Sequence, residues 1–181
     1  DEICNIYFHD TIQKDLKLCQ EPIIILHNVE CINGISYCWP KSDYKFITMG
    51  STTVCEIDLR KPEKAVRESE DQEDEVVCGV FVDQQKQDLM VCGMGEGVVT
   101  TWKPELNQWE DQVNRIKVTK DETIDSIISA MDGDGKFVYA GSGDGSVNKI
   151  DVIEGRCVEH LFNRDPEKEG NVVDEVTILD L

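Results

Sequence analysis

The sequence repeats itself three times, and this repeat restricts the chain to few folds. Each copy is an apolar stretch that ends in small residues, followed by a second alternating stretch. The three copies read YKFITMGSTTVCEIDL, QDLMVCGMGEGVVTTW and GKFVYAGSGDGSVNKIDV. Gly50, Gly93 and Gly141 are predicted to hold the equivalent turn in each copy, and they recur at a period of roughly 45 residues.

Each copy is flanked by two further predicted strands. The upstream strands read NGISYCW, VVCGVFV and DSIISAM, and the downstream strands read KAVRES, DQVNRIKV and RCVEHLF. Alternation and β-branched residues favour strands over helices in all six. Gly97 and Gly145 allow the positive φ that a tight strand reversal needs. Four short strands in roughly 45 residues predict an all-β fold made of propeller blades.

The stretch AGSGDGSVNKIDV resembles the turn and third strand of WD40 repeats. Asp144 matches the turn aspartate that braces a blade in that family. Ile150-Asp151 stands where the family has Trp-Asp, and Trp102 takes the core tryptophan position. No Gly-His dipeptide precedes the first strands, so the family's His–Asp bracing network is incomplete here. The resemblance implies a WD40-type β-propeller.

The repeat also predicts the blade boundaries. Whole blades are expected over residues 34–69, 70–120 and 121–170. Residues 1–33 are expected to belong to a preceding blade, and 171–181 to begin the first strand of a following one. A ring of seven such blades needs on the order of 300 residues, so the sequence is expected to be part of a longer protein.

Negative charge is concentrated in the predicted connections between blades. The eight residues from Glu68 to Glu75 hold six carboxylates, and the chain carries a net charge of −19. In a WD40-type blade this run joins the fourth strand of one blade to the first strand of the next. Such connections all emerge on one rim, beside the turns that hold Glu96 and Asp144. Charges within a Debye length of about 8–10 Å reinforce one another.

This pattern predicts a docking surface for Lys- and Arg-rich protein segments. The alternative is a solvating surface that only keeps strand edges apart. Trp109 is a candidate hot spot if it is exposed. The predicted docking residues are Glu68, Glu70, Asp71, Glu73, Asp74, Glu75, Asp121, Glu122 and Trp109, and the predicted structural residues are Gly50, Gly93, Gly141, Asp144 and Trp102.

The sequence contains no recognisable catalytic, cofactor or metal motif. Its three histidines have no neighbouring partners, and both glycine-rich turns join strand to strand rather than strand to helix. Cys55, Cys78 and Cys92 lie in apolar β-like runs, which predicts reduced core thiols. No stretch approaches the ~20 apolar residues of a membrane span. The net charge repels phosphates, so direct RNA contact is not expected from this region.

A closer resemblance covers roughly residues 34 to 181. The stretch Gly50-Ser51-Thr52, the acidic run and the WEDQ at 109–112 are similar to the fungal Jip-five proteins and vertebrate WD-repeat protein fifty-five. The resemblance implies a nucleolar protein without enzymatic activity, needed for rRNA processing and large-subunit biogenesis. Basic ribosomal proteins or assembly factors of the pre-ribosome are the partners it implies.

A second class of function stays open from the sequence. A substrate receptor of a ubiquitin ligase, or a chromatin adaptor, would use the same acidic face to hold histone-like tails. Asp58-Leu59-Arg60, at the end of a predicted third strand, is a pattern also seen in ligase-docking WD proteins, although an arginine also simply caps strands there.

Overall fold

Three four-stranded antiparallel sheets make up the part of the chain that the structure describes. The computed structural model describes residues 32–37, 44–61, 64–82, 89–103, 109–130 and 135–162. The first sheet contains β1 (Gly34–Tyr37), β2 (Lys45–Gly50), β3 (Thr53–Asp58) and β4 (Arg67–Glu68). The second contains β5 (Val76–Val82), β6 (Leu89–Met94), β7 (Val98–Trp102) and β8 (Asn114–Lys117). The third contains β9 (Ile124–Ser129), β10 (Phe137–Ser142), β11 (Val147–Asp151) and β12 (Arg156–Phe162).

In each sheet the strands follow one another in chain order, as in a WD40 blade. The prediction of an all-β, WD40-type propeller is therefore confirmed. The described residues include no helix long and apolar enough to cross a membrane. The expectations for residues 1–31 and 163–181, including the flanking partial blades, lie outside the described residues.

Two apolar layers hold the three sheets together. The first layer joins the first two sheets through Ile47, Met49, Val54, Met90, Cys92, Trp102 and Trp109. The second joins the last two sheets through Val91, Val99, Ile116, Ile124, Val138 and Ile150. Strand β6 contributes to both layers, because its side chains alternate between the two neighbouring sheets. This explains why all six β6 residues are buried.

The turns between second and third strands use the backbone freedom predicted for glycine at two places. Gly97 has φ 71° and Gly145 has φ 79°, as expected. In the first sheet Gly50 pairs with Thr53, which leaves a two-residue turn. Ser51 holds positive φ there (43°) without being a glycine. The first turn is therefore shorter than the other two.

Gly93 and Gly141 are not turn residues, which corrects the prediction made for them. Gly93 pairs with Cys78 and Val99 inside the second sheet. A Cβ atom on Gly93 would lie 2.6 Å from Ile124 Cγ2 and 2.7 Å from Cys78 Sγ. Gly93 therefore allows the third sheet to approach the second. Gly141 likewise lies within β10 and is buried.

The connections between sheets emerge at the same end as the β2–β3, β6–β7 and β10–β11 turns. The Gln72 N–H donates to Thr52 O (3.0 Å), and the Gly95 N–H donates to Glu75 O (2.9 Å). The Gly143 N–H donates to Thr123 O (3.0 Å). We call this end of the three sheets the rim.

Candidate protein-docking rim

The loop from β4 to β5 is anchored to the first sheet by its buried polar residues. Ser69 and Gln72 are buried. The Val54 N–H donates to Ser69 Oγ (3.0 Å), and the Ser69 hydroxyl donates to Glu70 O (2.9 Å). The neighbouring carboxylates of the loop are exposed: Glu70, Asp71, Glu73 and Glu75. Burial and exposure thus alternate along the loop.

The end of the same loop is anchored to both sheets. The Val76 N–H donates to Ser51 O of the first sheet (2.6 Å). The Asn33 side-chain amide, just before β1, donates to Glu75 Oε1 (3.0 Å) and to Val76 O (3.0 Å). Exposed carboxylates therefore project from a backbone that is fixed on both sides.

Asp74 differs from the other carboxylates of the loop, which corrects its assignment to the docking surface. It is only 9% exposed. Its Oδ2 accepts from the Glu96 N–H (3.3 Å) and lies 3.8 Å from Arg115 Nη2. Asp74 thus connects the loop to the β6–β7 turn. This contact braces the blade without the histidine that pairs with an aspartate in WD40 repeats. Because Arg115 Nη2 is also 3.5 Å from Glu96 Oε2, the Asp74 and Glu96 carboxylates lie closer than one Debye length of about 8 Å.

Glu68 also lies away from the rim. It belongs to β4, where it pairs with Cys55 in the middle of β3. Cross-strand partners share one face of a sheet, and Cys55 packs with Phe46 and Ile57 on the face opposite the second sheet. Glu68 is exposed, but it does not extend the carboxylate cluster of the loop.

Trp109 is a core residue rather than a surface hot spot. Its side chain is 3% exposed and packs in the layer between the first two sheets, together with Trp102 at 0%. The Arg67 guanidinium lies over the Trp109 ring, 5.4 Å from its centroid. The possibility that Trp109 is exposed is therefore wrong, whereas the assignment of Trp102 to packing is confirmed.

Burial of Trp109 brings another carboxylate to the acidic loop. The next residue, Glu110, is exposed, and its carbonyl oxygen accepts from the Glu70 N–H (2.9 Å). Sequence patterns do not indicate this position for Glu110, because Glu70 and Glu110 are far apart along the chain. The sequence feature that bears on the position of Glu110 is the WEDQ stretch, because its tryptophan side chain favours burial.

The second connection, from β8 to β9, places further carboxylates on the rim. Asp121, Glu122 and Asp144 are exposed. The Thr119 hydroxyl donates to Glu122 O (2.7 Å) and fixes this connection. Asp144 Oδ1 accepts from the Ser146 N–H of its own turn (2.8 Å), so its bracing is local. A Cβ atom on Gly143 would be 3.5 Å from Glu122 Oε2 and 3.4 Å from an oxygen of the Asp125 carboxylate.

Most rim carboxylates among the described residues differ from those at the other end of the sheets in having no cation close by, the exceptions being Asp74 and Glu96, which lie near Arg115. At the other end, Asp58 Oδ2 lies 2.6 Å from Arg60 Nη2, and Asp151 Oδ2 lies 3.0 Å from Lys136 Nζ. Glu154 Oε2 lies 2.8 Å from Arg156 Nε. Within the described ranges, these rim carboxylates have no cation within 4 Å: Glu70, Asp71, Glu73, Glu75, Asp121, Glu122 and Asp144.

Hydrogen bonds keep part of this charge ionised. The Glu73 N–H donates to Asp71 Oδ1 (2.9 Å). This bond and one to the Thr52 side chain lower the pKa of Asp71. The Asp71 carboxylate is therefore stabilised in its charged form by contacts within the loop.

Three of the cysteines that the structure describes lie in or beside the core. Cys55 and Cys92 are buried, as predicted, and burial raises the pKa of both thiols. Burial raises the pKa of Cys78 to about 12. In the described part of the chain, no group of three or more His, Cys, Asp or Glu side chains is arranged to hold a metal ion.

The chain is similar over its whole length to yeast proteins named WD repeat-containing protein JIP5. It is 39% identical over 191 residues to the one from Saccharomyces cerevisiae strain YJM789, which covers 100% of this chain and 37% of that protein. It is 38% identical over 195 residues to the one from Kluyveromyces lactis, covering 100% of this chain and 35% of that protein. The chain thus spans little more than a third of these relatives.

Solved structures show the fold alone. The computationally designed Ika4 protein superposes with a TM-score of 0.58 at 16% identity, covering 76% of each chain. The computationally designed Ika8 protein gives a TM-score of 0.54 at 16% identity, covering 72% of this chain and 36% of that one. No family model matches the sequence.

Proposed function

We propose that this chain, a WD40-type propeller segment that resembles JIP5, is part of a non-catalytic scaffold that binds basic protein segments through its rim. The WD-repeat relatives support protein interaction in general. The observation that carries the finer proposal is the contrast between the two ends of the sheets. Asp58, Asp151 and Glu154 are matched by cations at one end. At the rim only Asp74 and Glu96 lie near a cation, Arg115, among the described residues.

Several weak ion pairs are needed for such docking. An exposed ion pair contributes only about 0.2–1 kcal/mol, so one carboxylate would not retain a partner. The rim offers carboxylates on two connections and two turns, and the loop from β4 to β5 is already held by hydrogen bonds. Binding therefore costs little ordering of the loop. A field of one sign also accelerates the encounter with a basic partner.

The biological setting of the proposal comes from the resemblance to the Jip-five family. We place the scaffold in large-subunit rRNA processing in the nucleolus, with basic ribosomal proteins or assembly factors as partners. A negative rim supports a protein partner over direct RNA contact, because it repels phosphates.

The test is a pull-down from nuclear extract with full-length protein and two variants that lose the same charge. The rim variant carries Glu70→Gln, Glu73→Gln and Glu122→Gln. The control carries Glu68→Gln, Glu154→Gln and Glu159→Gln, three exposed residues away from the rim. Asp74 is left unchanged because it is structural. Circular dichroism and thermal unfolding verify that both variants fold.

We expect the wild type and the control to retain large-subunit precursors, and the rim variant to lose them. Retention should also fall as salt is raised, because the contacts are between exposed charges. Equal loss in both variants would mean that total charge matters and the rim does not. Equal retention in both would make the rim a solvating surface only.

The same purification separates the second candidate, a ubiquitin-ligase receptor or chromatin adaptor. The observation behind it is Arg60, whose side chain is 59% exposed at the end of β3. Its guanidinium donates to both oxygens of Asp58 (2.9 and 2.6 Å), so an intramolecular role already accounts for it. Recovery of a cullin adaptor or histones, without pre-ribosomal particles, would favour this candidate.

A further inference from the structure

An asparagine followed by a glycine lies where the loop from β4 to β5 is anchored to the first sheet. Asn33 and Gly34 are the one Asn-Gly pair in the sequence. Asparagine is a thermolabile residue, because the carbon atom of its side-chain amide can be attacked by the backbone nitrogen of the next residue. Glycine lacks the Cβ atom that hinders this attack. Asn33 is therefore the asparagine of this sequence at which the next side chain hinders the attack least.

The reaction is a deamidation, and water is its only co-reactant. The Gly34 nitrogen forms a bond to Asn33 Cγ, the bond from Cγ to Nδ2 breaks, and ammonia leaves with the proton from the Gly34 nitrogen. The product of this step is a cyclic succinimide. Water then adds to one of its two carbonyl carbons and breaks the bond from that carbon to the nitrogen, which leaves aspartate or isoaspartate at position 33.

Native contacts of Asn33 restrict this reaction. Asn33 Nδ2 donates to Glu75 Oε1 (3.0 Å) and to Val76 O (3.0 Å), so the side chain is bound to the end of the loop. The Asn33 N–H donates to Met49 O (2.8 Å), and Gly34 pairs with Met49 in the first sheet. Attack on Cγ requires the side chain to turn towards the Gly34 nitrogen. The two bonds from Nδ2 must therefore open first.

This opening does not require the whole fold to unfold. Asn33 and Glu75 are both exposed, and contacts at the surface open locally at a free energy below that of global unfolding. A hydrogen bond to a charged carboxylate is stronger than one between neutral groups. The bond to Glu75 should therefore determine most of how often the Asn33 amide is released.

We infer that Asn33 is a deamidation site whose reaction rate is set by its hydrogen bond to Glu75. The aspartate that forms has no N–H to donate, and its carboxylate takes the place of the amide beside Glu75 and Val76 O. Two like charges then lie next to each other, so the product detaches the end of the loop from the first sheet. An effect on docking rests on the proposed function of the rim, whereas the deamidation itself does not.

The first test follows deamidation at position 33 by mass spectrometry during incubation of the full-length protein at neutral pH. The variant is Glu75→Ala, and its matched control is Glu70→Ala, which removes another exposed carboxylate of the same loop. We expect Glu75→Ala to deamidate about fivefold faster or more, and Glu70→Ala to react at the rate of the wild type. Circular dichroism and thermal unfolding verify that both variants fold.

A further variant tests the chemistry of the site. Gly34→Ala should suppress the reaction, because the new methyl group hinders attack by the backbone nitrogen. The added Cβ atom would lie 3.1 Å from Met49 Cε, the end of a flexible side chain that can move aside. The variant is therefore expected to fold.

The second test measures the consequence of the reaction with Asn33→Asp, which has the same side chain as the aspartate product. Hydrogen exchange of the Val76 N–H, which donates to Ser51 O (2.6 Å), should be faster than in the wild type. Exchange of β10 in the third sheet should be unchanged.

Three results would overturn the inference. They are no deamidation at Asn33 in Glu75→Ala, equal rates in Glu75→Ala and Glu70→Ala, and wild-type exchange of Val76 in Asn33→Asp. None of these measurements uses a basic partner. Failure of the deamidation site and failure of docking at the rim are therefore distinguishable.

Discussion

Replacement of Gly93 by alanine should separate the second and third sheets. The new Cβ atom would lie 2.6 Å from Ile124 Cγ2, 2.9 Å from Ile124 Cβ and 2.7 Å from Cys78 Sγ. Ordinary contacts between carbon atoms are about 3.5–4.0 Å, so the sheets must move apart by roughly 1 Å. Ile124 is β-branched and fully buried, so it cannot rotate out of the way. Overpacking of this kind costs about 1–3 kcal/mol of unfolding free energy.

The matched control is Gly143→Ala, the same chemical change in a rim turn. Its Cβ atom would meet no atom closer than 3.4 Å. Removing a glycine from the unfolded chain contributes about 0.4–1 kcal/mol when the native backbone tolerates alanine. Urea unfolding of the full-length protein, followed by circular dichroism, should therefore show lower stability for Gly93→Ala and unchanged or slightly higher stability for Gly143→Ala.

A double variant tests whether the clash with the Ile124 side chain causes the loss of stability in Gly93→Ala. Ile124→Ala alone should cost about 2–5 kcal/mol. It also removes the Ile124 Cγ2 contact at 2.6 Å, while Ile124 Cβ (2.9 Å) and Cys78 Sγ (2.7 Å) stay close. This partial relief should make the double variant less destabilised than the sum of the two, by more than about 0.5 kcal/mol. Additive losses, or a Gly93→Ala protein as stable as Gly143→Ala, would refute the close approach of the two sheets.

Three further predictions concern single side chains. Trp109→Ala should lower the unfolding free energy, measured by urea unfolding, by about 3–5 kcal/mol. A loss below about 0.5 kcal/mol would contradict the burial of Trp109. Asp58 should stabilise the fold above its unfolded pKa of about 3.9, because Arg60 holds its folded pKa lower. The loss of unfolding free energy in Asp58→Asn should therefore become smaller as unfolding is measured at lower pH. A loss that does not change with pH would contradict the stabilising ion pair. Iodoacetamide at pH 8 should leave Cys55 and Cys92 unmodified in the native protein and modify both in urea, as mass spectrometry would detect; rapid native labelling would show that these thiols are accessible.

Much of the fold follows from short-range patterns in the sequence. The stretches VVCGVFV and RCVEHLF coincide with β5 and β12, because alternation and β-branching are local properties. The positive φ of Gly97 and Gly145 also follows from local chemistry, since a tight turn needs it. These features do not depend on which sheet lies next to which.

Other features depend on contacts between sheets and could not be predicted. The stretch KAVRES contains only the two-residue strand β4, although the Val66 and Ser69 N–H groups on either side also donate to β3. The repeat predicts a turn at Gly93, because the contact of Gly93 with the third sheet is not visible in the repeat. The sign of the rim charge was readable from composition. Which carboxylates protrude depends on how the loop alternates between burial and exposure, and this excluded Asp74.

The hydrogen bond between Glu70 and Glu110 has a consequence for synthesis on the ribosome. The Glu70 N–H, next to β4, donates to a carbonyl oxygen that leaves the ribosome roughly 40 residues later. At about 5–20 residues per second, this delay is about 2–8 s. During that interval the bond from Glu70 to Glu110 and the contact of Arg67 with the Trp109 ring have not yet formed. A nascent chain of this protein therefore passes through a period in which a chaperone, or a second nascent chain, can occupy the place that Trp109 later takes.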